Sequence, residues 1–225
     1  EELTRRQGNN PARGGGGTPL QGEQQQVAVL SGNYAWNMNG DNAVPQPGEY
    51  LAGIKVVELR QLDLLLTPSG FLKAALAGNP TAITFTLPSS PGEITKNGKA
   101  TIVSFTAMGK YRVNGTFNDQ NMLELVQTWI PNPVYGDMLY ELRYTNYKDF
   151  GGVKFPTGIH VHQGDPRLNA AHNSMDITVT GVQPNVTVPA MAVPDAVQKA
   201  TAPPVRAASQ KLGDGVWLIA GGSHN

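Results

Sequence analysis

Apolar residues recur along this chain with two different periods. Val56, Val57, Leu59, Leu62, Leu65 and Leu66 stand at helical spacing and predict one helix. Thr67-Pro68 predicts an immediate restart, with Thr67 as N-cap and Pro68 at the first helical position. Phe71, Leu72, Ala75 and Leu76 form the apolar face of this second helix, and Gly78 is placed to end it.

From Ala82 onward the period becomes two. Val103 and Phe105 share a face; Tyr111, Val113 and Phe117 alternate with Arg112, Asn114 and Thr116. Asn118-Asp119-Gln120-Asn121 is turn chemistry. Leu123, Leu125, Gln127 and Trp129 then oppose Glu124, Val126 and Thr128, and Pro131-Asn132-Pro133 breaks the run. Tyr140, Leu142 and Tyr144 alternate with Glu141 and Arg143, and strands follow over Val153 to Val161 and Met175 to Val182. Consecutive strands joined by short polar turns predict an antiparallel meander with one face on a core and the other wetter. The expected class is α+β and β-dominated: a curved antiparallel sheet, an unclosed barrel, packed on two or three helices.

The ends differ from the middle. Glu2 to Gln7 alternates like a strand, Asn9 to Gly22 reads as a Gly/Pro loop, and Gln26 to Met38 as a strand or hairpin. Asp41 to Gly53 reads as a loop rich in Pro and Gly. Thr201 to Ser209 is Ala/Pro-rich and reads as a linker. Val216-Trp217-Leu218-Ile219 is an apolar run bounded by glycines, which predicts a buried strand whose partner lies outside the chain. The expected organisation is a β domain over 1–200 with helices near 55–77, a linker over 201–212, and the first strand of a further domain over 213–225. The expectation is therefore a piece of a longer protein.

Composition narrows the functional classes. Lys+Arg 17 balances Asp+Glu 17, without the basic excess usual in nucleic-acid binders. No apolar stretch approaches the ~20 residues needed to span a bilayer as a helix. The absence of Cys removes disulfides, thiol catalysis and Cys-ligated zinc, and fits a periplasmic or secreted bacterial protein.

Chemistry has few candidates. His160 and His162 stand two apart in a strand, so both imidazoles face one side, where a metal could bind. Zinc needs three or four ligands, and the nearest further candidates, Asp165 and His172, stand across a Gly/Pro turn; a polar strand face with two solvated imidazoles is the simpler reading. Arg13 to Thr18 lacks the Gly-Lys-Ser/Thr ending of a phosphate loop. Glu124, Asp137 and Glu141 are carboxylates without an evident cleft, and Glu124 and Glu141 read as members of a solvated sheet face. No Gly-x-Ser-x-Gly elbow occurs. Asn114-Gly115-Thr116 and Asn185-Val186-Thr187 match the glycosylation sequon, which matters only in a eukaryotic secretory setting. Trp36, Tyr111, Phe117, Trp129, Tyr140 and Tyr144 could line an apolar ligand cavity in a curved sheet, or simply pack on the Leu-rich helices.

The motifs Lys110-Tyr111-Arg112-Val113-Asn114-Gly115, Asn118 to Leu123, Asn132 to Met138 and Tyr147 to Thr157 together resemble the region that precedes the catalytic domain in a group of bacterial metallo-β-lactamase-fold (MBL) hydrolases. Pro11 to Pro45 and the Thr67 to Ala77 helix are similar to it too. Gly213 to Ile219, with His224-Asn225, resembles the first strand of the MBL domain. The resemblance implies a parent hydrolase that uses zinc to activate water, but it carries no catalytic residue to this chain. The family's His-x-His-x-Asp-His motif is absent: His160-Val161-His162 continues Gln163-Gly164-Asp165, and His224 matches no ligand position. What remains is a non-catalytic N-terminal accessory region with no cofactor of its own, partnered by a C-terminal MBL domain. The β region also looks like the unclosed sheets of periplasmic lipoprotein-carrier-like domains, which gives the alternative of an exported carrier for a small apolar ligand.

Overall fold

The computed structural model describes residues 2–7, 24–51, 53–86, 98–132, 135–165, 172–187, 191–202 and 208–220. The chain forms two compact units, Glu49–Ala192 and the combination of Glu1–Gly48 with Val193–Asn225. That division runs through the 1–200 span read from the sequence. The Asn9 to Gly22 loop, including Arg13 to Thr18, lies outside the described residues, as does His224.

In the combined unit, β1 (Glu2–Gln7), β2 (Gln24–Ser31), β3 (Tyr34–Asn39) and β4 (Asn42–Pro45) form an antiparallel sheet in that order. The hairpin expected over Gln26 to Met38 is β2–β3, turning at Gly32, whose φ of 56° suits glycine. Part of the expected Asp41 to Gly53 loop is instead β4, because Asn42 to Pro45 pairs with Trp36 to Asn39. Trp36 and Val29 are buried against Val197.

The Glu49–Ala192 unit begins with the short pair β5 (Glu49–Leu51) and β6 (Ile54–Lys55), then α1 (Val56–Leu66) and α2 (Pro68–Ala77). The two helices meet with one residue between them. Thr67 sits in extended backbone, its Oγ1 accepts from Gly70 N at 3.1 Å and donates to Leu64 O at 2.7 Å. This caps the start of α2 and ties off the end of α1. A Cβ on Gly70 would stand 2.1 Å from Leu64 O, so the tight junction requires glycine there.

The helices precede a seven-stranded antiparallel meander: β7 (Thr81–Thr86), β8 (Lys99–Ala107), β9 (Tyr111–Phe117), β10 (Leu123–Asn132), β11 (Gly136–Phe150), β12 (Val153–Gln163) and β13 (His172–Thr178). Every neighbour in the sheet is a neighbour in sequence, and β7 and β13 are its two open ends. The sheet is not closed into a barrel. After Val193, α3 (Asp195–Gln198) precedes the hairpin of β14 (Ala208–Gly213) and β15 (Val216–Ala220).

The core of the larger unit lies between the two helices and one sheet face. Leu59, Leu62, Leu66, Phe71 and Ala75 meet Phe105, Tyr111, Val113, Val126, Ile130, Tyr140, Leu142, Tyr144 and Val161. The alternation in β8, β9 and β11 is the one read from the sequence. In β10 it is not. Leu123 pairs with Phe117 and Leu125 with Thr116, so Glu124 is an extra, bulged residue. The bulge puts Leu123 and then Val126, Thr128 and Ile130 on the core side, and turns Gln127 and Trp129 outward.

Candidate functional site

The two faces of the seven-stranded sheet carry different chemistry. On the inner face, three tyrosines reach across to α1. Tyr111 donates its hydroxyl to Glu58 Oε1 at 2.6 Å, Tyr140 to Asp63 Oδ1 at 2.9 Å, and Tyr144 to the Leu66 carbonyl at 2.5 Å. These acceptors run from the first turn of α1 to its last residue, so the hydroxyls fix the helix along its length. Phe71 of α2 closes the rest. Its ring packs at 5.1 Å from Phe105 and 5.9 Å from Phe117 and lies over Gly115, where an added Cβ would stand 2.2 Å from Phe71 Cζ. Glycine in the middle of β9 is thus a seat for the phenyl ring.

Burial raises the Tyr111 hydroxyl pKa to about 12, helped by its bond to Glu58. Burial also pushes the Glu58 carboxyl up, but the hydrogen bonds from Lys110 and Tyr111 outweigh it and hold Glu58 below its ordinary value. Lys110 forms an ion pair with Glu58 and sits 5.0 Å above the Tyr111 ring. Tyr144, almost fully buried, is pushed far up by desolvation. Tyr111 and Tyr144 therefore act as neutral donors at neutral pH.

The outer face is a polar ladder. Ser104 donates to Asn114 Oδ1 at 2.7 Å, and Gln127 Nε2 donates to Glu141 Oε2 at 2.7 Å. Arg143 Nε donates to the other Glu141 oxygen at 2.6 Å. Glu141 is 5% exposed, and both its oxygens are occupied, as a buried carboxylate requires. On β12, His162 stands opposite Glu141 and His160 opposite Arg143. The two imidazole rings lie 4.4 Å apart at 51°, and His160 Nδ1 contacts Asp176 Oδ1 of β13. Desolvation lowers the His162 pKa, with His160 and Arg143 acting in the same direction against Glu141 and Asp176.

A third feature is Glu124, the bulged residue. Asn118 Nδ2 donates to Glu124 Oε1 at 2.7 Å, while Glu124 Oε2 is buried without a hydrogen-bond partner. Burial raises its pKa, the Asn118 bond offsets part of this, and Asp119 adds to it. The turn itself is as the sequence reads: Asn118 Oδ1 accepts from Gln120 N and Met122 N, and Asn121 has φ 58°.

The six aromatic candidates do not form one group. Tyr111, Tyr140 and Tyr144 are buried in the core and Phe117 packs against it. Trp129 is 40% exposed on the other face, because the Glu124 bulge reverses the alternation. Trp36 belongs to the other unit and its own small core. The inner face, read either as a ligand cavity or as a seat for the Leu-rich helices, packs against α1 and α2. His160 and His162 are adjacent as the strand period requires. Among the described residues, no group of three or more His, Asp or Glu is arranged to hold a metal ion, and no helix is long and apolar enough to cross a membrane. Sequence reading did not find Asp176 as the His160 partner, nor Glu58 and Asp63 as tyrosine acceptors. The only local signal was their polar character on otherwise apolar-patterned elements.

These features define a β-dominated protein whose open antiparallel meander holds a helix pair on one face. No protein-family model, curated protein or solved structure matches the chain.

Proposed function

We propose that this chain is a non-catalytic accessory region of a zinc-dependent MBL-fold hydrolase, and that the β14–β15 hairpin belongs to the sheet of the catalytic domain. The hairpin carries this reading. Val216 and Leu218 point to one face of β15 and Trp217 to the other, and they are 55%, 41% and 58% exposed. A strand apolar on both sides belongs inside a sheet covered on both faces. A lone two-stranded hairpin is marginal in water. The Gly213 to Ile219 resemblance supplies the kind of sheet expected.

The polar ladder and the helix-filled inner face support a structural rather than catalytic role for the Glu49–Ala192 unit. Its nearest approach to an active-site constellation, Glu141 with Arg143 and the histidines, has its carboxylate fully engaged. The carrier alternative loses its observation, since four of the six cavity residues are spent on packing α1 and α2.

The test compares this chain with one extended beyond Asn225. Amide exchange of Val216 to Leu218 should slow strongly in the longer chain, with stoichiometric zinc and hydrolase activity present only there. Unchanged exchange in a folded longer chain would overturn the docking role. Zinc-dependent hydrolysis by the present 225 residues would overturn the non-catalytic one.

A further inference from the structure

The open edges of the sheets differ in how they are defended. Among the described strands, β1 carries Glu2, Arg5 and Arg6, β4 ends on Pro45, and β14 carries Lys211. β13 carries Asp176, and its register against β12 is broken: Met175 pairs with Val161 and Asn173 with His162, which leaves Ser174 as an extra residue. Charge, proline and bulges keep an edge from recruiting another strand. β7 has none of them. Its residues, Thr81-Ala82-Ile83-Thr84-Phe85-Thr86, pair with β8 without a shift, and among the described residues β8 is its only neighbour in the sheet. All but Phe85 are exposed, Ile83 at 68%.

The two sides of β7 are distinct. Ala82 stands opposite Val103, which packs on the core, so Ala82, Thr84 and Thr86 lie on the helix side. Ile83 and Phe85 lie on the other side, opposite Ile102 and Ala100.

We propose that β7 is a dimerisation edge, which pairs antiparallel with β7 of a second copy about a two-fold axis through Thr84 and joins two seven-stranded sheets into one. A two-fold interface must be complementary to itself. β7 meets this condition: outward from Thr84 it reads large apolar, then small, in both directions, as Ile83-Ala82 and as Phe85-Thr86. With Thr84 opposite Thr84, Ile83 of each copy meets Phe85 of the other, an aromatic with a β-branched residue, on the same face. Ala82 meets Thr86 on the helix side. The strand bears no charge, so no like charges are opposed, as they would be if β1 or β13 paired with itself. Thr84 Oγ1 already shares a hydrogen bond with Thr101 Oγ1 at 2.9 Å, and the pairing extends this row of hydroxyls across the axis. Association stops at two chains, because the joined sheet ends at β13 on both sides, with its bulge and its carboxylate. The proposal is independent of the β14–β15 hairpin.

The test is sedimentation of the Trp217→Ser chain, which weakens association through the hairpin, with and without Ile83→Lys. Raising the concentration from about 1 to about 300 µM, a span suited to so small an interface, should double the mass of the Trp217→Ser chain and no more. Ile83→Lys should weaken that dimer about tenfold or more, since each Lys would face Phe85 of the other copy. Ile83 is exposed in the single chain, so the melting temperature should hold. A monomer at the highest concentration, a dimer indifferent to Ile83→Lys, or growth beyond two chains would overturn the proposal. Should the Lys variant fold poorly, a thiol decides. The chain has no Cys, so Thr84→Cys introduces a single one. Residues directly opposed in antiparallel strands have Cα atoms about 4.5–5.5 Å apart, within disulfide reach. Mild oxidation should link Thr84→Cys chains in pairs about tenfold faster, or more, than Thr178→Cys chains, whose thiol lies on β13. Equal rates would overturn the two-fold pairing.

Discussion

The seven-stranded sheet and the β14–β15 hairpin are built from similar strands with opposite fates. In the sheet, apolar residues of the inner face share one core with the two helices, and on the outer face Ser104 and Gln127 find polar neighbours across a strand. Val113, Val126 and Ile130 are 0% exposed. In the hairpin, Val216, Trp217 and Leu218 stay in water although β15 is paired with Ala208 to Gly213. Backbone pairing is therefore not what separates the two. A covering layer is, and in the larger unit α1 and α2 provide it at residues close in sequence to the strands they cover.

The strongest way to break this contrast is to remove the cover. Phe71→Ala should cost about 3–5 kcal/mol in urea unfolding, because a fully buried ring over Gly115 leaves a cavity. Gly115→Ala should cost about 1–3 kcal/mol by overpacking the same spot. In the double variant the added methyl enters space vacated by the ring, so the costs should fall short of additive. Additive losses would mean Phe71 and Gly115 do not share a site.

Tyr144→Phe comes next. It strips the donor from the buried Leu66 carbonyl and should cost about 1–3 kcal/mol. Tyr111→Phe should cost less, since Glu58 keeps Lys110 as a partner. Equal losses in the two melts would contradict the graded burial of the tyrosine row.

The hairpin should behave oppositely. Trp217→Ser removes a large side chain with little burial and should change stability by no more than about 0.5 kcal/mol, while reducing any self-association seen in sedimentation. A loss above about 2 kcal/mol would place Trp217 in a core and erase the distinction.

The smallest effect concerns Glu124. Its raised pKa means the folded chain binds this proton more tightly than the unfolded one. The stabilisation from protonation is present below the ordinary value of 4.5 and is lost as pH rises through the folded one. Glu124→Gln should therefore raise the melting temperature slightly at pH 7 and lose that advantage as pH falls toward 4.5. A lower melting temperature for the Gln variant at pH 7 would show that the ionised carboxylate is well solvated.

Much of this architecture is legible in the residues. The helical spacing of Leu59, Leu62 and Leu66, the Thr67-Pro68 restart, the Asn118 turn and the alternation around Tyr111 and Tyr140 are local signals. Each depends on one element's own period or on a side chain bonding its own backbone, so no distant contact is needed to read it. The shared face of His160 and His162 follows from strand period alone.

Other features depend on what lies across the strand. The Glu124 bulge exists only in the pairing of β10 with β9, and it decided that Trp129 faces out while Val126 faces in. The Ser174 bulge exists only in the pairing of β13 with β12, and it set Asp176 opposite His160. That Trp36 and Tyr111 serve different cores, and that Val216 to Ala220 finds its partner in Ala208 to Gly213, are likewise matters of register and contact. Period is a property of one segment and is written in the sequence; register joins two segments, and the same apolar pattern is compatible with several registers until the chain has packed.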